Sequence, residues 1–317
     1  MRVTVVGKRI ARFVFTLFLV TFLTTCLLSL VPGDTATAIA GPGASQDVID
    51  ALNEKYGFND SVFERYVDWV SGAVQGDFGT SYTSGAPVTD LLKQRIPVTL
   101  QLAIGATVLS LIFATVLAMM SARRSGSLFD RTVSGLTYAQ ISLPSFVIAV
   151  LLVYIFGVKF EIFPVIGYTP LSEDVSENFM SMVLPVVSIA LIEMVILQRV
   201  LRADLVDTLK EDYIMLARAK GLPVRTIMWK HAFKPASFSL LTLSAISAAR
   251  LLGGTVIVES IFQLPGVGTL LLNGVMTKDL VLVQGLVSLI AIVFLVVNLL
   301  VDLAYGLLDP RLRTQAA

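Results

Sequence analysis

Cysteine, histidine and charge are all scarce in this chain. Among 317 residues there is one cysteine, Cys26, and one histidine, His231. A lone cysteine makes no internal disulfide, and the sequence offers no thiolate metal site. A multi-histidine metal centre is excluded, and a Ser-His-Asp arrangement would rest on His231 alone. That argues against an intramembrane enzyme. Charged residues are 15% of the chain, against about 25% in a soluble domain. The net charge of +1 gives no reason to expect a nucleic-acid partner. No stretch matches GxxxxGK[ST], so the chain carries no phosphate-binding loop, and any ATP must be bound elsewhere. No repeat or low-complexity tract is visible.

Apolar residues are abundant instead, at 55% with a mean hydropathy of +0.81. The class is a polytopic membrane protein whose main solvent is the bilayer. Residues 1–12 form a basic arm with Arg2, Lys8, Arg9 and Arg12, followed by 19 uncharged residues at 13–31. A signal peptide also begins this way, and Ala36-Thr37-Ala38 is a passable cleavage site. The run is longer than the ~7–15 residues of a signal core and near the ~20 that span a bilayer. It is therefore read as a retained first span. Further spans are expected at 96–122, 132–158, 178–198, 235–258 and 280–301, giving six. Residues 96–306 make the core of spans two to six, with a polar loop at 206–234, and 307–317 make a tail. With the N-terminus cytoplasmic, 17 of the 24 Lys and Arg fall inside and six outside. The positive-inside rule selects that orientation, with both termini cytoplasmic.

Residues 32–95 differ in kind, with nine acidic and four basic side chains. Val62, Tyr66, Trp69 and Val70 follow i, i+4, i+7, i+8 and predict one apolar helical face. The stretch 75–87 is turn chemistry. A small, partly helical subdomain outside the bilayer is expected, resting on neighbouring protein for want of its own core.

The longest polar interruption, residues 211–236, organises the rest. It reads as two short helices broken at Gly221-Leu222-Pro223, where Gly suits a helix C-terminus and Pro the start of the next piece. Leu209, Tyr213, Leu216 and Ala217 fall on one face of the first piece, and Val224, Ile227 and Met228 stripe the second. By spacing alone the pair either lies on lipid headgroups or docks on a protein. The small residues Ala217, Ala219 and Gly221 suit a close-fitting protein partner.

Three charges interrupt the apolar runs: Glu193, Arg250 and Glu259. Ionisable residues at membrane depth are functional candidates. Arg250 with either glutamate could form a buried pair or line a path for a zwitterionic peptide. Alternatively Glu193 lies near a cytoplasmic end and Glu259 at an outer mouth, each solvated. Leu264-Pro265-Gly266-Val267-Gly268 breaks another apolar run, either as a re-entrant gate or as an ordinary loop. Pro144 and Pro185 fall inside expected spans as candidate kinks.

ARAKGL at 217–222 resembles the cytoplasmic coupling loop of binding-protein-dependent ABC importer permeases, in the version of the dipeptide/oligopeptide (peptide/nickel) permease family. GDFGTSY at 76–82 with RIPVTL at 95–100, FPVIGY at 163–168, the 254–268 segment and DPR at 309–311 resemble its B-type subunit, in order along nearly the whole chain. One departure exists. Many such permeases begin the loop with Glu-Ala-Ala six positions before the glycine, and here Met215, Leu216 and Ala217 stand there.

The resemblance implies an all-α integral membrane protein with six transmembrane helices in the type I ABC importer permease fold, carrying a small extracytoplasmic helical subdomain after the first helix. It implies a transport subunit of a prokaryotic plasma membrane that takes up peptides and does no chemistry. The expected partners are a homologous C-type permease subunit forming a heterodimer, two ATPase subunits, an extracytoplasmic substrate-binding protein, the lipid bilayer and the peptide substrate. No cofactor is expected on this chain, and ATP and Mg2+ belong to the ATPases. Ala217, Arg218, Ala219, Lys220, Gly221, Leu222, Pro223, Arg225, Ile227 and Lys230 would meet the ATPase. Glu193, Arg250, Glu259, Pro265, Gly266 and Gly268 would serve the translocation path or gate. Importers of nickel, glutathione or another small solute share this resemblance. An ion-coupled carrier remains the alternative from another class, although its broken helices come in matched halves and here one broken region has no partner.

Overall fold

A computed structural model describes residues 3–30, 35–41 and 43–308. Every regular element among them is helical, apart from one isolated bridge between Thr80 and Pro87. The helices are α1 (Val3–Ser29), α2 (Thr35–Ala40), α3 (Gln46–Tyr56), α4 (Val62–Val74), α5 (Val88–Arg123), α6 (Leu128–Ile141) and α7 (Ser145–Leu152). There follow α8 (Val175–Thr208), α9 (Asp212–Ala219), α10 (Val224–Thr226), α11 (Phe233–Gly254), α12 (Val256–Ile261), α13 (Val267–Met276) and α14 (Leu280–Leu308). Wider π-helical turns continue α7 through Val153–Lys159 and α10 through Ile227–Ala232.

Among the described residues, four helices are long and apolar enough to cross a membrane: Ala11–Ser29, Val88–Arg123, Val175–Thr208 and Leu280–Leu299. The expected span at 132–158 is not a straight rod. Leu128–Ile141 and Phe146–Lys159 meet at 108°, which makes a broken span or a re-entrant loop. Pro144, which lacks an amide hydrogen, stands at the break as the residue before α7. Counting the bent pair as one span gives five. The expected span at 235–258 is helical as α11, 22 residues broken by a Thr255 step before α12. The 309–311 motif and the tail lie outside the described residues.

The chain divides into two compact units, Met1–Thr99 with Pro265–Val296, and Leu100–Leu264 with Val297–Ala317. In the first unit, α4 is fixed by a capping box. Ser61 accepts from the Glu64 amide, and Glu64 accepts from the Ser61 amide. Glu64 is held below the usual carboxylate range by these bonds. The expected apolar face is the inner one: Tyr66 is buried, and Val62, Trp69 and Val70 are half-buried. Tyr66 sits edge-on between Phe18 and Phe22 of α1. Its hydroxyl donates to the Phe18 carbonyl at 3.1 Å and shares a hydrogen bond with Thr21 at 2.7 Å.

A second fixed point in this unit is Asp279, fully buried ahead of α14. It caps the Leu282 amide and accepts from the Ser81 and Thr83 hydroxyls at 2.6 and 2.9 Å. The turn-rich 75–87 stretch is thereby clasped to the start of α14. Burial first, and then the Asp279 charge, push the neighbouring Tyr82 hydroxyl up to about 12. Beneath the clasp α14 comes close to α5. A Cβ on Gly285 would lie 2.7 Å from Val88 Cγ1, so any larger residue there would have to displace Val88.

The second unit is built on α8. Asp174 caps it, and Pro185 is buried within it. Its Leu197, Leu201 and Leu205 join Ala114 and Ala118 of α5, and Ala232, Ala236 and Leu240 at the start of α11, in one apolar core. Because Ala, a small side chain, recurs on α5 and α11, the leucines of α8 interdigitate between them.

Candidate coupling loop and charged path

The core just described continues into the 206–234 loop. Leu205 leads out of α8, which ends at Thr208 with Leu209 as its last capping residue. The first loop helix, α9, begins only at Asp212. Leu209 therefore does not share a helical face with Tyr213 and Leu216, as its spacing suggested. Ile214 and Ala217 are the buried residues of α9, while Tyr213, Met215 and Leu216 are exposed. Ile214, which the sequence reading passed over, is 0% exposed and is the main anchor. Its i, i+3 relation to Ala217 was the available signal.

The turn after α9 has the expected chemistry. Gly221 has φ 75°, a left-handed backbone that a glycine adopts without strain. Its amide bonds the Arg218 carbonyl, and the Leu222 amide bonds the Ala217 carbonyl. These are the two bonds of a Schellman end, satisfying carbonyls that the helix leaves open. Pro223 then precedes α10. Ile227 and Met228 return the chain to the core.

The ten candidate residues thus divide. Ala217 and Ile227 are buried, and Arg218, Ala219, Lys220, Gly221, Leu222, Pro223, Arg225 and Lys230 are exposed. Two buried anchors hold a projecting turn between them. The Tyr213 hydroxyl donates to the His231 carbonyl at 3.4 Å, tying the two pieces together. Burial first, then the charge of Glu211, push that hydroxyl up from its ordinary range.

The charged candidates are also placed. Glu193 lies near the middle of α8 and is 6% exposed, so it is not a solvated helix end. Arg250 donates through one nitrogen to both of its oxygens, at 2.9 and 3.0 Å. Of the two glutamates left open as partners for Arg250, the structure brings together Glu193 and Arg250. Glu259 is 0% exposed and accepts from the Thr255 hydroxyl at 2.7 Å, which overturns the solvated reading for it too. The Arg250 side chain remains 56% exposed. It is held by its carboxylate and still open on its other side.

The turn at 264–268 is tightly fixed within its own units. The Leu264 amide bonds the Glu259 carbonyl. Gly266 and Gly268 are buried, and Pro265 is half-buried. The Val267 amide donates to the Thr99 hydroxyl at 2.8 Å.

One ion pair had no sequence signal. Arg202 of α8 donates through two nitrogens to the two oxygens of Asp130 in α6, both at 2.6 Å. Asp130 is buried and also accepts from the Gly126 amide. The partners are 72 positions apart, beyond any periodic pattern.

Comparison with known proteins gives this geometry a family. Residues 114–314 match the family described as binding-protein-dependent transport system inner membrane component. Residues 2–103 match the N-terminal membrane component of the same systems. The chain is 36% identical, over 90% of its length and 92% of the relative's, to the probable peptide ABC transporter permease protein y4tP of Sinorhizobium fredii. It is 31% identical to the dipeptide transport system permease protein DppB of Lactococcus lactis, over 96% of this chain and 98% of that one. It is 32% identical to the glutathione transport system permease protein GsiC of Escherichia coli K12, over 96% and 97%. An all-helical chain with several bilayer-length helices, matched along both its parts, belongs to the family of binding-protein-dependent transport system inner membrane components.

Proposed function

We propose that this chain is the permease subunit of an ATP-driven importer of peptides, and that the 206–234 loop is where it meets its ATPase. The observation that carries this is the loop's construction. Ile214 and Ile227 root both of its pieces in the apolar core of α5, α8 and α11. The Schellman turn at Arg218–Pro223 projects from that root as a compact, low-relief knob. A knob so rooted passes a push from a partner directly into the spans. A headgroup-bound helix needs no such rooting.

The charge distribution supports a cytoplasmic loop, cytoplasmic termini and an outer 32–95 subdomain. The ATPases, two per transporter, hold the ATP and Mg2+. A homologous permease subunit completes the path as a heterodimer, and a binding protein delivers substrate at the outer face. This chain makes and breaks no covalent bond.

Arg250 is the candidate for substrate contact. A guanidinium facing lipid near mid-membrane costs about 2.5–3.5 kcal/mol or more. Its open side therefore faces water or protein, and Glu193 keeps it aimed. A peptide carboxylate, or that of a glutathione-like molecule, fits this donor. Pro265, Gly266 and Gly268 are candidates for the gate, and Glu259 is a separate candidate for the path or gate.

The test is Gly221→Arg in the assembled transporter. Arginine at φ 75° both strains the turn and adds bulk to the knob. The variant is expected to insert normally, to lose ATPase co-purification and to lose peptide-stimulated ATP hydrolysis. Normal peptide uptake by it would remove the docking reading, and uptake driven by a proton or sodium gradient without ATP would remove the importer reading.

A further inference from the structure

An open groove of about 290 Å³ lies where the end of α5 meets α10 and its π-helical continuation, within the second unit. Val116, Met119 and Met120 give it an apolar strip, and Arg123, Arg225 and Trp229 line it as well. Arg123 is the last residue of the 36-residue apolar helix Val88–Arg123 and directly follows the uncharged run 96–122, so the groove lies where that run ends. Val116 and Met120, one turn apart on α5, are each 47% exposed. Trp229 is half exposed and rests against Phe233. An amphipathic ring in that place is a headgroup-level anchor. Neither Arg123 nor Arg225 has an ion-pair or hydrogen-bond partner among the described residues. Two guanidinium groups with no partner among the described residues thus share the lining of a groove with an apolar strip.

We infer that this groove binds one anionic phospholipid of the cytoplasmic leaflet. Arg123 and Arg225 take the phosphate, and one acyl chain lies on Val116, Met119 and Met120. Guanidinium presents paired N–H donors that match phosphate geometry. Basic pockets between membrane helices on the cytoplasmic side take anionic headgroups in the same way. The placement of the second loop piece also follows. Arg225 and Trp229 alternate with the buried Ile227 and Met228, so the piece faces the core on one side and the lipid on the other. Spacing left open whether the loop meets lipid or protein. Here the turn at Arg218–Pro223 takes the protein and the following piece takes the lipid. The inference rests on the orientation proposed above.

The test is native mass spectrometry of the full-length chain, delipidated in detergent and titrated with phosphatidylglycerol or phosphatidylcholine of matched chains. The native chain is expected to retain one phosphatidylglycerol, roughly ten- to thirtyfold more tightly than phosphatidylcholine. Arg123→Gln/Arg225→Gln abolishes that preference, and Arg123→Lys/Arg225→Lys keeps most of it. Met120→Trp, which crowds the apolar strip, weakens retention of both lipids. Equal retention of the two lipids by the native chain overturns the inference without any variant having to fold. So does a preference that survives the double glutamine change. Complete competition by millimolar inorganic phosphate would identify a free-anion site instead. Loss of ATPase co-purification in the double glutamine variant, with lipid retention unchanged, would assign the groove to the ATPase. Lipid retention is read without ATP, so failed peptide-stimulated hydrolysis with the preference intact counts against the transport reading alone.

Discussion

Helix α8 carries two arginine–carboxylate pairs that differ in how completely they are closed. At Asp130–Arg202 two nitrogens meet two oxygens at 2.6 Å, a loop amide adds a third bond, and the arginine side chain is 27% exposed. At Glu193–Arg250 one nitrogen meets both oxygens, and the arginine is 56% exposed. The first pair sets one two-nitrogen edge of the arginine against both carboxylate oxygens. The second leaves most of the guanidinium unengaged. The closed pair is a fastener between α6 and α8. The open pair is a held donor awaiting something else. Pair chemistry is the same in both, so function follows from the unused hydrogen-bonding capacity.

Four measurements sharpen or break that contrast. The largest effect is expected for Arg202→Met, which strands a buried carboxylate at a cost of about 3 kcal/mol and lowers the melting temperature in detergent. An unchanged melting temperature would show that the closed pair fastens nothing. Arg250→Gln comes next. It should reduce peptide-stimulated ATP hydrolysis about tenfold, the value of one charge-assisted hydrogen bond, with a smaller melting shift than Arg202→Met. Equal losses of stability would erase the difference between the pairs. Third, double-mutant cycles in thermal stability should give a coupling on the order of 2 kcal/mol for Asp130–Arg202 and a smaller one for Glu193–Arg250, whose arginine makes its contact through a single nitrogen. The smallest effect belongs to Glu64, whose cap lies wholly at the surface. Its carboxyl is held below the ordinary range, so its stabilising contribution is present above that range and fades as pH falls through the lowered value. Glu64→Ala should therefore differ from the native protein at neutral pH and match it in strong acid. A difference that grows on acidification would contradict the capping role.

Local chemistry was legible in the sequence, and long-range pairing was not. The turn at Gly221-Leu222-Pro223 was readable because its signals lie within a few residues of one another. The inward face of α4 was readable because the i, i+4, i+7, i+8 pattern belongs to a single helix. Hydropathy located the apolar runs but carries no direction, so the 108° bend at 142–145 was hidden within one apolar stretch. Pro144 was the clue, since it marks the bend rather than a mild kink. Sequence spacing does not choose the partner of Arg250, because Glu193 is 57 positions away and Glu259 only nine. Packing of α8 on α11 decided for the distant one. Leu209 was misassigned because a periodic pattern does not reveal that a helix stops and restarts between Thr208 and Asp212.

The Tyr66 socket bears on the order in which the chain is made. Thr21 already donates its hydroxyl to the Leu17 carbonyl within α1, at 2.9 Å. Thr24, Thr25 and Ser29 do the same one turn back along the helix. These four hydroxyls of α1 are thus satisfied within the helix itself and need no later residue. Tyr66 follows Thr21 by 45 residues and finds a ready-made seat between Phe18 and Phe22. Helix α4 is thereby seated through Tyr66 on a helix that precedes it in the chain.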